Sequence, residues 1–443
     1  IFYGCKAVRF VTGRNTQVKY GARLLNSVLG DNSTVSCCEL LNNLIFPFHE
    51  QHHNTSFLIA TTVLGQSNIA AGATIGSNHN SRAADGEILA GRGFWPGLCT
   101  SFKHNCKFAS FTLVAKGDYS YEMDIRYPFS LIYLKKENES VYAMPGYWFL
   151  YNMYALQRNS YKFKTRDKRK IILQNIETDY LAPDSVSEIL SALKRIEFLT
   201  GKHFLGVEPL EDKKIIELGK KYLSDPESEE ISLKDHEIMK KYGGIISKPL
   251  RGYRVYREMV IYFAVKNIIE YFNIDVNDNM DAVITKINAL LEKKVFKKWR
   301  NVGGQIISED DLNELKNDVK EKKINSWGEI HKRYEALWKK YPENKTRFGL
   351  YALSEILDKD LKSLKRGDWF DIFNDANKTS KKITINSYDS RKKDYSDPFR
   401  KMNYDNEEEM LAVMGPVEND FLMDLKNREE SFDKIIARIT AIG

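Results

Sequence analysis

The feature that most constrains this chain is a six-residue hydrophobic repeat near its start. Between Phe57 and Asn80 the sequence reads FLIATT, VLGQSN, IAAGAT and IGSNHN, and each word begins with a large apolar residue. The fifth place of the first three words is small. A period of six fits neither the helical period of about 3.6 nor the alternation of a simple strand. It is typical of a parallel β-helix, in which three six-residue sides form one triangular coil and stacked coils bury each other's apolar surface.

The same phase recurs on both sides of this stretch. The positions predicted to point into the prism are Val18, Leu24, Leu29, Val35, Leu41, Phe57, Val63, Ile69, Ile75, Phe102, Phe108 and Val114. Residues 51–81 contain no Lys, Arg, Asp or Glu, as expected where stacked faces leave little room for isolated charges. An ordinary parallel sheet with accidental spacing is the alternative, which four consecutive words in phase disfavour. Residues 46–56 (FPFHEQHHNTS) interrupt the repeat and are predicted to form a loop leaving a corner.

Charge divides the chain into two regions. Residues 1–150 contain 13 Lys and Arg and 10 Asp and Glu, whereas the remaining 293 residues contain 54 and 50. The predicted organisation is a β-helix over 1–125, truncated at its start because the chain begins at Ile1, and a β-hairpin connector over 126–160. Amphipathic runs with helical period then predict an α-helical domain over 161–443, with a polar loop near 374–406.

Composition also restricts the partners. The net charge of +7 is small for 443 residues and is shared by both regions, so nucleic-acid binding is not expected. Three basic clusters, at 164–170, 293–300 and 391–393, are interpreted as solvated faces balanced by nearby acids, with a phosphate site as the alternative. The most apolar run, 144–156, has 13 residues and is too short to cross a bilayer. The five cysteines lack metal-ligand spacing, which predicts reduced thiols in a cytoplasmic protein and no metal.

The repeat resembles the hexapeptide-repeat, left-handed β-helix proteins over about residues 15–120. Further segments resemble an uncharacterised bacterial family labelled as similar to the bifunctional N-acetylglucosamine-1-phosphate uridyltransferase/acetyltransferase. These segments are IGSNHN at 75–80, YPFSLI at 127–132, RDKR at 166–169 and LAP at 181–183. The resemblance implies a left-handed parallel β-helix, then a β-hairpin and a mostly α-helical region. It also implies a homotrimer and acyl transfer from a thioester such as acyl-CoA to an amino sugar or nucleotide sugar.

Such a reaction needs a base for the attacking amine or hydroxyl, and a histidine suits neutral pH. The first region contains His49, His52, His53, His79 and His104. His79 is the preferred base because it occupies a fifth position, where the repeat expects a small residue. Asn78, Asn80, Arg82 and Asp85 are then the predicted substrate-binding residues, and His49, His52 and His53 are the second choice for the base.

Two functions from different classes remain open at this stage. One is a sugar-nucleotide or amino-sugar acyltransferase whose site lies on the β-helix. The other is a non-catalytic trimeric scaffold that carries a helical interaction domain. No cofactor besides the acyl-CoA donor is implied, and the sequence does not identify the acceptor or the acyl chain.

Overall fold

A computed structural model describes residues 1–76, 87–103, 105–135, 140–205, 211–239 and 241–441. The chain begins as a parallel β-solenoid of seven coils and three faces. Face 1 consists of Lys6–Val8, Arg23–Leu25, Glu39–Leu41, Phe57–Ile59, Thr74–Ile75, Ser101–Phe102 and Asp118–Tyr119. Face 2 consists of Val11–Thr12, Val28–Leu29, Leu44–Ile45, Thr61–Val63, Ile88–Ala90, Lys107–Phe108 and Asp124–Ile125. Face 3 consists of Gln17–Lys19, Thr34–Ser36, Glu50–Gln51, Trp95–Pro96, Leu113–Val114 and Leu131–Lys135, with a bridge at Asn68.

The strand register explains the six-residue period. On face 1, Lys6 pairs with Arg23, and Phe57 pairs with both Glu39 and Thr74, so one coil takes 16 to 18 residues. Three hexads supply that length, one for each face. The step from Thr74 to its partner Ser101 is longer by ten residues, because additional chain lies between faces 1 and 2 of the fifth coil.

The predicted interior is largely confirmed. Ten of the twelve positions assigned to the interior are buried. The two exceptions are Leu41 and Phe57, which are only partly buried because their neighbours Leu40 and Leu58 point inward instead. In the later coils the interior becomes aromatic, and the ring centroids of Phe102 and Phe108 lie 5.0 Å apart.

The corners of the prism have a conformational requirement of their own. A residue with positive φ precedes a small buried residue at successive corners, as in Asn26–Ser27, Asn32–Ser33 and Gly72–Ala73. Asn and Gly tolerate this left-handed conformation better than other residues, which explains the repeated asparagines. The small fifth residue of each word is therefore a corner residue, as its size suggested.

The prediction that residues 46–56 form a loop is wrong. Glu50–Gln51 is a strand of face 3, and it pairs with Thr34 and Val35 of the preceding coil. Phe48 takes the positive-φ corner position, and His49 takes the buried position that follows it. The segment looked irregular because bulky and polar side chains occupy places where the repeat usually has small or aliphatic ones.

A β-hairpin closes the solenoid, as predicted. Leu131–Lys135 is the last strand of face 3, and Ser140–Met144 pairs with it in the antiparallel direction. Gly244–Ile246 continues this sheet in parallel with Ser140–Met144, and Leu233–Asp235 forms its edge. The fold class is therefore confirmed as a parallel β-solenoid, a hairpin and a mostly helical remainder.

The rest of the described chain is mainly helical. The helices are α1 (Tyr147–Tyr151), α2 (Met153–Thr165), α3 (Pro183–Leu205), α4 (Asp212–Ser224), α5 (Pro249–Phe272), α6 (Met280–Leu291), α7 (Glu309–Lys320), α8 (Trp327–Leu357), α9 (Arg366–Ser396), α10 (Pro398–Lys401), α11 (Glu407–Met414) and α12 (Asp420–Ala441). A short hairpin joins Trp299–Val302 to Gln305–Ser308. Among the described residues, none of these helices is both long and apolar enough to cross a membrane.

The chain forms two compact units. The solenoid unit comprises Ile1–Tyr147, Arg166–Tyr256 and Lys297–Lys339. The helical unit comprises Trp148–Thr165, Arg257–Phe296 and Lys340–Gly443.

The structure also corrects the polar loop expected near 374–406. Most of that segment belongs to α9, and Pro398–Lys401 is a further short helix. The buried stripe of α9 continues through Ala376, Thr379, Ser380, Ile383 and Ser387 at helical spacing. Small and hydroxyl side chains form most of this stripe, so a search for large aliphatic residues does not find its period.

Candidate functional site

The outer surface of face 2 carries an exposed aliphatic column. Val11 pairs with Val28, Val28 with Leu44, Leu44 with Thr62, and Thr62 with Leu89. The exposed fractions of the four aliphatic side chains are 61, 39, 41 and 42%. Because neighbouring strands lie about 4.8 Å apart, five rungs span about 19 Å. The next rungs on the same face are Lys107 and Asp124, so the column ends in charge.

The hydrophobic repeat predicts the inward-pointing positions and does not predict this column. Its members are the outward neighbours of the buried residues, and a single exposed Val or Leu at one of these places would be ordinary. The strand register brings them into one line, and a contiguous exposed apolar surface is typical of an interaction site.

His49, one of the predicted alternative bases, is completely buried in the third coil. Its Nδ1 lies 2.8 Å from Ser67 Oγ in the next coil, and its Nε2 lies 3.2 Å from Gln51 Oε1. Its backbone N–H donates to Ser33 Oγ of the preceding coil at 3.1 Å. Burial lowers the pKa of the imidazole to about 4, so the ring is neutral near pH 7.

The surroundings of His49 indicate a structural role. Gln51 Nε2 donates to Ser56 Oγ at 3.1 Å, and Ser56 donates onward to the carbonyl oxygen of His53 at 3.0 Å. This network satisfies the polar groups that a histidine brings into a solenoid core. An acceptor substrate cannot reach the buried ring, which argues against the prediction that His49 is a catalytic base.

His52 and His53 lie on the exposed part of the same coil. Their ring centroids are 4.5 Å apart and their planes are tilted by 47°. Both rings are accessible to solvent, so the geometry leaves their predicted role as alternative bases open. In the part of the chain that the structure describes, no group of three or more His, Cys, Asp or Glu side chains is arranged to hold a metal ion.

The preferred site falls in the additional chain of the fifth coil. His79, Asn78, Asn80, Arg82 and Asp85 all lie outside the described residues, as does His104. Their roles therefore stay predictions.

Arg92 connects the solenoid to α3. Its guanidinium donates to both carboxylate oxygens of Asp184, at 2.7 and 2.9 Å, and to the carbonyl oxygen of Asp179 at 2.9 Å. The Arg92 side chain is only 1% exposed and its Cζ lies 5.4 Å from the centre of the Phe111 ring. One turn along α3, Glu188 accepts the Ser110 N–H at 2.8 Å, and removal from water raises the pKa of its carboxyl to about 7.

The basic clusters also form internal contacts. Arg169 binds Asp31 at 3.1 Å and Asp167 at 2.7 Å. Arg300 forms an ion pair with Glu309, in which the guanidinium Nη2 lies 2.5 Å from the carboxylate Oε1. Arg391 donates to backbone carbonyl oxygens of Met414, Pro416 and Val417. The acidic partners of Arg169 and Arg300 support the interpretation of the first two clusters as balanced by nearby acids, whereas Arg391 is held by neutral carbonyl oxygens.

The five cysteines are all free thiols. Cys38 and Cys106 take buried corner positions, and burial raises the pKa of each thiol to about 12. Such thiols are poor nucleophiles at neutral pH.

Parts of this chain are similar to known proteins. A family model described as a domain of unknown function (DUF6819) matches residues 279–439. An uncharacterised protein of Treponema pallidum (strain Nichols) is 40% identical over 407 residues, which are 90% of this chain and 54% of that protein. The chain thus spans about half the length of this curated relative. Among solved structures, the UDP-N-acetylglucosamine acyltransferase of Francisella novicida is similar over 51% of this chain and 95% of its own, with 9% identity and a TM-score of 0.24.

Proposed function

We propose that this chain is a self-associating β-solenoid scaffold, a homotrimer in solution, whose helical unit carries a binding site for a partner. The observation that carries the first part is the aliphatic column on face 2. Val11, Val28, Leu44 and Leu89 are held in register on a regular sheet, where side chains are ordered before any partner arrives. Such preorganised apolar surface loses little entropy on association.

The column is the centre of the proposed contact and not the whole of it. Complete burial of one Val or Leu contributes about 1.5–3 kcal/mol, so four half-exposed side chains contribute about 4 kcal/mol. Stable interfaces bury about 800 Å² on each partner, so polar residues beside the column must form the rim. When face 2 of one copy packs on a different face of the next copy, the contact is heterologous, and it closes as a ring of three when successive copies are rotated by about 120°. The choice of three copies follows the homotrimer that the resemblance to hexapeptide-repeat proteins implies.

Sedimentation equilibrium tests this proposal. The wild-type chain should have three times the 51.3 kDa chain mass. Leu44→Lys, which places a charge in the middle of the column, should shift the mass toward that of the monomer. Lys107→Gln is the matched control, because Lys107 lies on the same face beyond the end of the column, and it should keep the wild-type mass. A wild-type monomer at all concentrations, or an unchanged mass for Leu44→Lys, would refute the proposal.

A specific observation also favours a second candidate, the sugar-nucleotide or amino-sugar acyltransferase. The solenoid takes ten additional residues in its fifth coil, and this stretch of sequence contains His79, Arg82 and Asp85. Insertions between regular elements often carry function. In this candidate, His79 takes the proton from the amine or hydroxyl of the acceptor while that group attacks the thioester carbonyl of acyl-CoA. The C–S bond then breaks, and the CoA sulfur leaves as the thiol with the proton from His79. The Asn78, Asn80, Arg82 and Asp85 side chains bind the substrate.

Mass spectrometry of product formation tests the second candidate without interference from the free thiols. The full chain is incubated with acetyl-CoA or longer acyl-CoAs and with amino sugars or UDP-N-acetylglucosamine. An acylated product that disappears in His79→Ala and persists in His53→Ala supports His79 as the base. Unchanged turnover in His79→Ala would transfer the role to His52 or His53. No product and no thermal shift with any of these compounds would refute the acyltransferase.

A further inference from the structure

The helical unit contains an open groove between α9 and α12. Its volume is about 610 Å³, and its lining includes Ile385, Tyr388 and Asp389 of α9 and Leu422, Met423 and Glu429 of α12. At about 1.5 Å of rise per residue, the stretch of α12 from residue 422 to residue 430 is about 12 Å long. The groove therefore accommodates about two turns of another helix. It lies wholly within residues 279–439, which match the family model.

The floor of the groove is apolar and partly open to solvent. Ile385 is 58% exposed, Met423 is 48% exposed and Tyr388 is 36% exposed, whereas Leu422 is buried beneath them. Methionine adapts its shape to different partner side chains and is frequent on peptide-binding surfaces. This floor is suited to side chains from one apolar face of a helix.

The rim of the groove is acidic. Asp389, Glu418, Glu429 and Glu430 contribute four carboxylates, and Lys426 contributes one ammonium group. Within the part of the chain that the structure describes, none of these four carboxylates forms an ion pair with a basic side chain. Burial and nearby Asp433 raise the pKa of the Glu429 carboxyl, whereas the charges of Lys381 and Lys426 act in the opposite direction. With four carboxylates and one ammonium group among its lining residues, the rim has a net negative charge.

We propose that this groove binds a cationic amphipathic helix of a partner protein. Apolar side chains at positions i, i+3 or i+4 and i+7 of that helix occupy the floor, and flanking Lys or Arg side chains reach the carboxylates. The charge of the rim repels anionic lipid headgroups and nucleic-acid phosphates, so a basic peptide is the complementary ligand. This inference deepens the binding role proposed for the helical unit, and it does not depend on self-association of the solenoid.

Fluorescence anisotropy with the full chain tests this inference. The probe is a labelled 14-residue peptide of leucine and lysine, designed as an amphipathic helix. The wild-type chain should bind it with a dissociation constant that rises with salt. The double variant Glu429→Gln and Glu430→Gln should bind about tenfold more weakly, as expected when two ion pairs at a partly exposed rim are lost. Ile385→Ser should also weaken binding, because it removes part of the floor.

The matched control replaces two exposed carboxylates of α11 that do not line the groove. Glu407→Gln with Glu408→Gln makes the same change in net charge and should leave the affinity unchanged. Equal weakening in this control would show nonspecific attraction and overturn the inference, as would no binding by the wild-type chain. Equally tight binding of a leucine–glutamine peptide would overturn the requirement for a cationic ligand. A drop in the solution mass of Ile385→Ser would assign the groove to a second copy of this chain and would also overturn it. Because solution mass and peptide affinity are measured separately, failure here is distinguishable from failure of the scaffold proposal.

Discussion

The buried imidazole of His49 predicts a specific loss of stability in acid. Its pKa falls from the ordinary 6.5 to about 4 in the folded chain because the ring is removed from water. Between these two values the unfolded chain binds a proton that the folded chain does not, so acidification favours unfolding. Each pKa unit corresponds to about 1.36 kcal/mol, which gives about 3 kcal/mol lost between pH 6.5 and pH 4. At pH 5 the loss is about 2 kcal/mol.

The His49→Asn variant isolates this effect. Asparagine is a suitable replacement because Asn43 already occupies a buried corner position of the same coil, where it donates to the Leu58 carbonyl oxygen at 2.8 Å. Urea unfolding followed by β-sheet ellipticity, at pH 7.5 and at pH 5, gives the change in unfolding free energy for each protein. The variant should lose about 2 kcal/mol less than the wild type over this interval.

The matched control for this measurement is His53→Asn, because the His53 ring is exposed on the same coil. It should keep the pH dependence of the wild type. If His49→Asn and the wild type lose the same stability between the two pH values, the imidazole is not buried in its neutral form and the reasoning fails.

Three further predictions concern the contacts that hold the solenoid unit together. In urea titrations, Arg92→Ala should lower the unfolding free energy by about 3–5 kcal/mol, because it leaves the Asp184 carboxylate without its buried partner. The control Arg23→Ala, which removes an exposed ion pair with Glu39, should lower it by less than about 1 kcal/mol. Glu188→Gln should stabilise the chain by about 1–3 kcal/mol more at pH 8 than at pH 5. Because the pKa of Glu188 is raised to about 7, the folded wild type binds more protons than the unfolded chain between pH 4.5 and about 7, and it gains stability as the pH falls through this window. An equal effect of Glu188→Gln at both pH values would refute this prediction. Asn26→Val should cost about 1–2 kcal/mol because Asn26 has a φ of 47°, whereas Asn26→Gly should change thermal stability little.

The solenoid could be predicted because its constraint is local and repeated. Each coil places an inward residue on each face and usually a small residue at each corner, so Val63, Ile69 and Ile75 reveal the period by themselves. The signal weakens where side chains depart from the usual sizes. The coil that contains His49 and Gln51 was not recognised as regular because both residues are polar. Their hydrogen bonds with Ser33, Ser67 and Ser56 allow them to be buried, and a local sequence pattern does not show those bonds.

The helical region was predicted less accurately, for two physical reasons. The buried stripe of α9 is made largely of Ala, Ser and Thr, which also occur in loops. In addition, α6 ends at Leu291, and Trp299 begins a strand that pairs with Gln305–Ser308 within the region predicted to be α-helical. Pairing of that kind depends on the partner strand and the turn between them, so it cannot be inferred from hydrophobic period alone.

The candidate surfaces required the fold. The column on face 2 becomes visible only when strand register aligns residues 17 or so positions apart, and the acidic groove only when α9 and α12 are packed together. Arg92 likewise gave no local signal, because its partner Asp184 is distant in sequence. Sequence therefore identified the architecture, whereas the surfaces depend on contacts between distant residues.

Photo-crosslinking from the centre of the column tests the scaffold account most directly. Benzoylphenylalanine at position 62, between Leu44 and Leu89, should yield covalently linked copies of the chain on irradiation, with the crosslinked peptide in the solenoid of the second copy. The same group at position 107, beyond the end of the column, should give much less product. Monomer alone from position 62, or equal yields from both positions, would contradict the proposed interface.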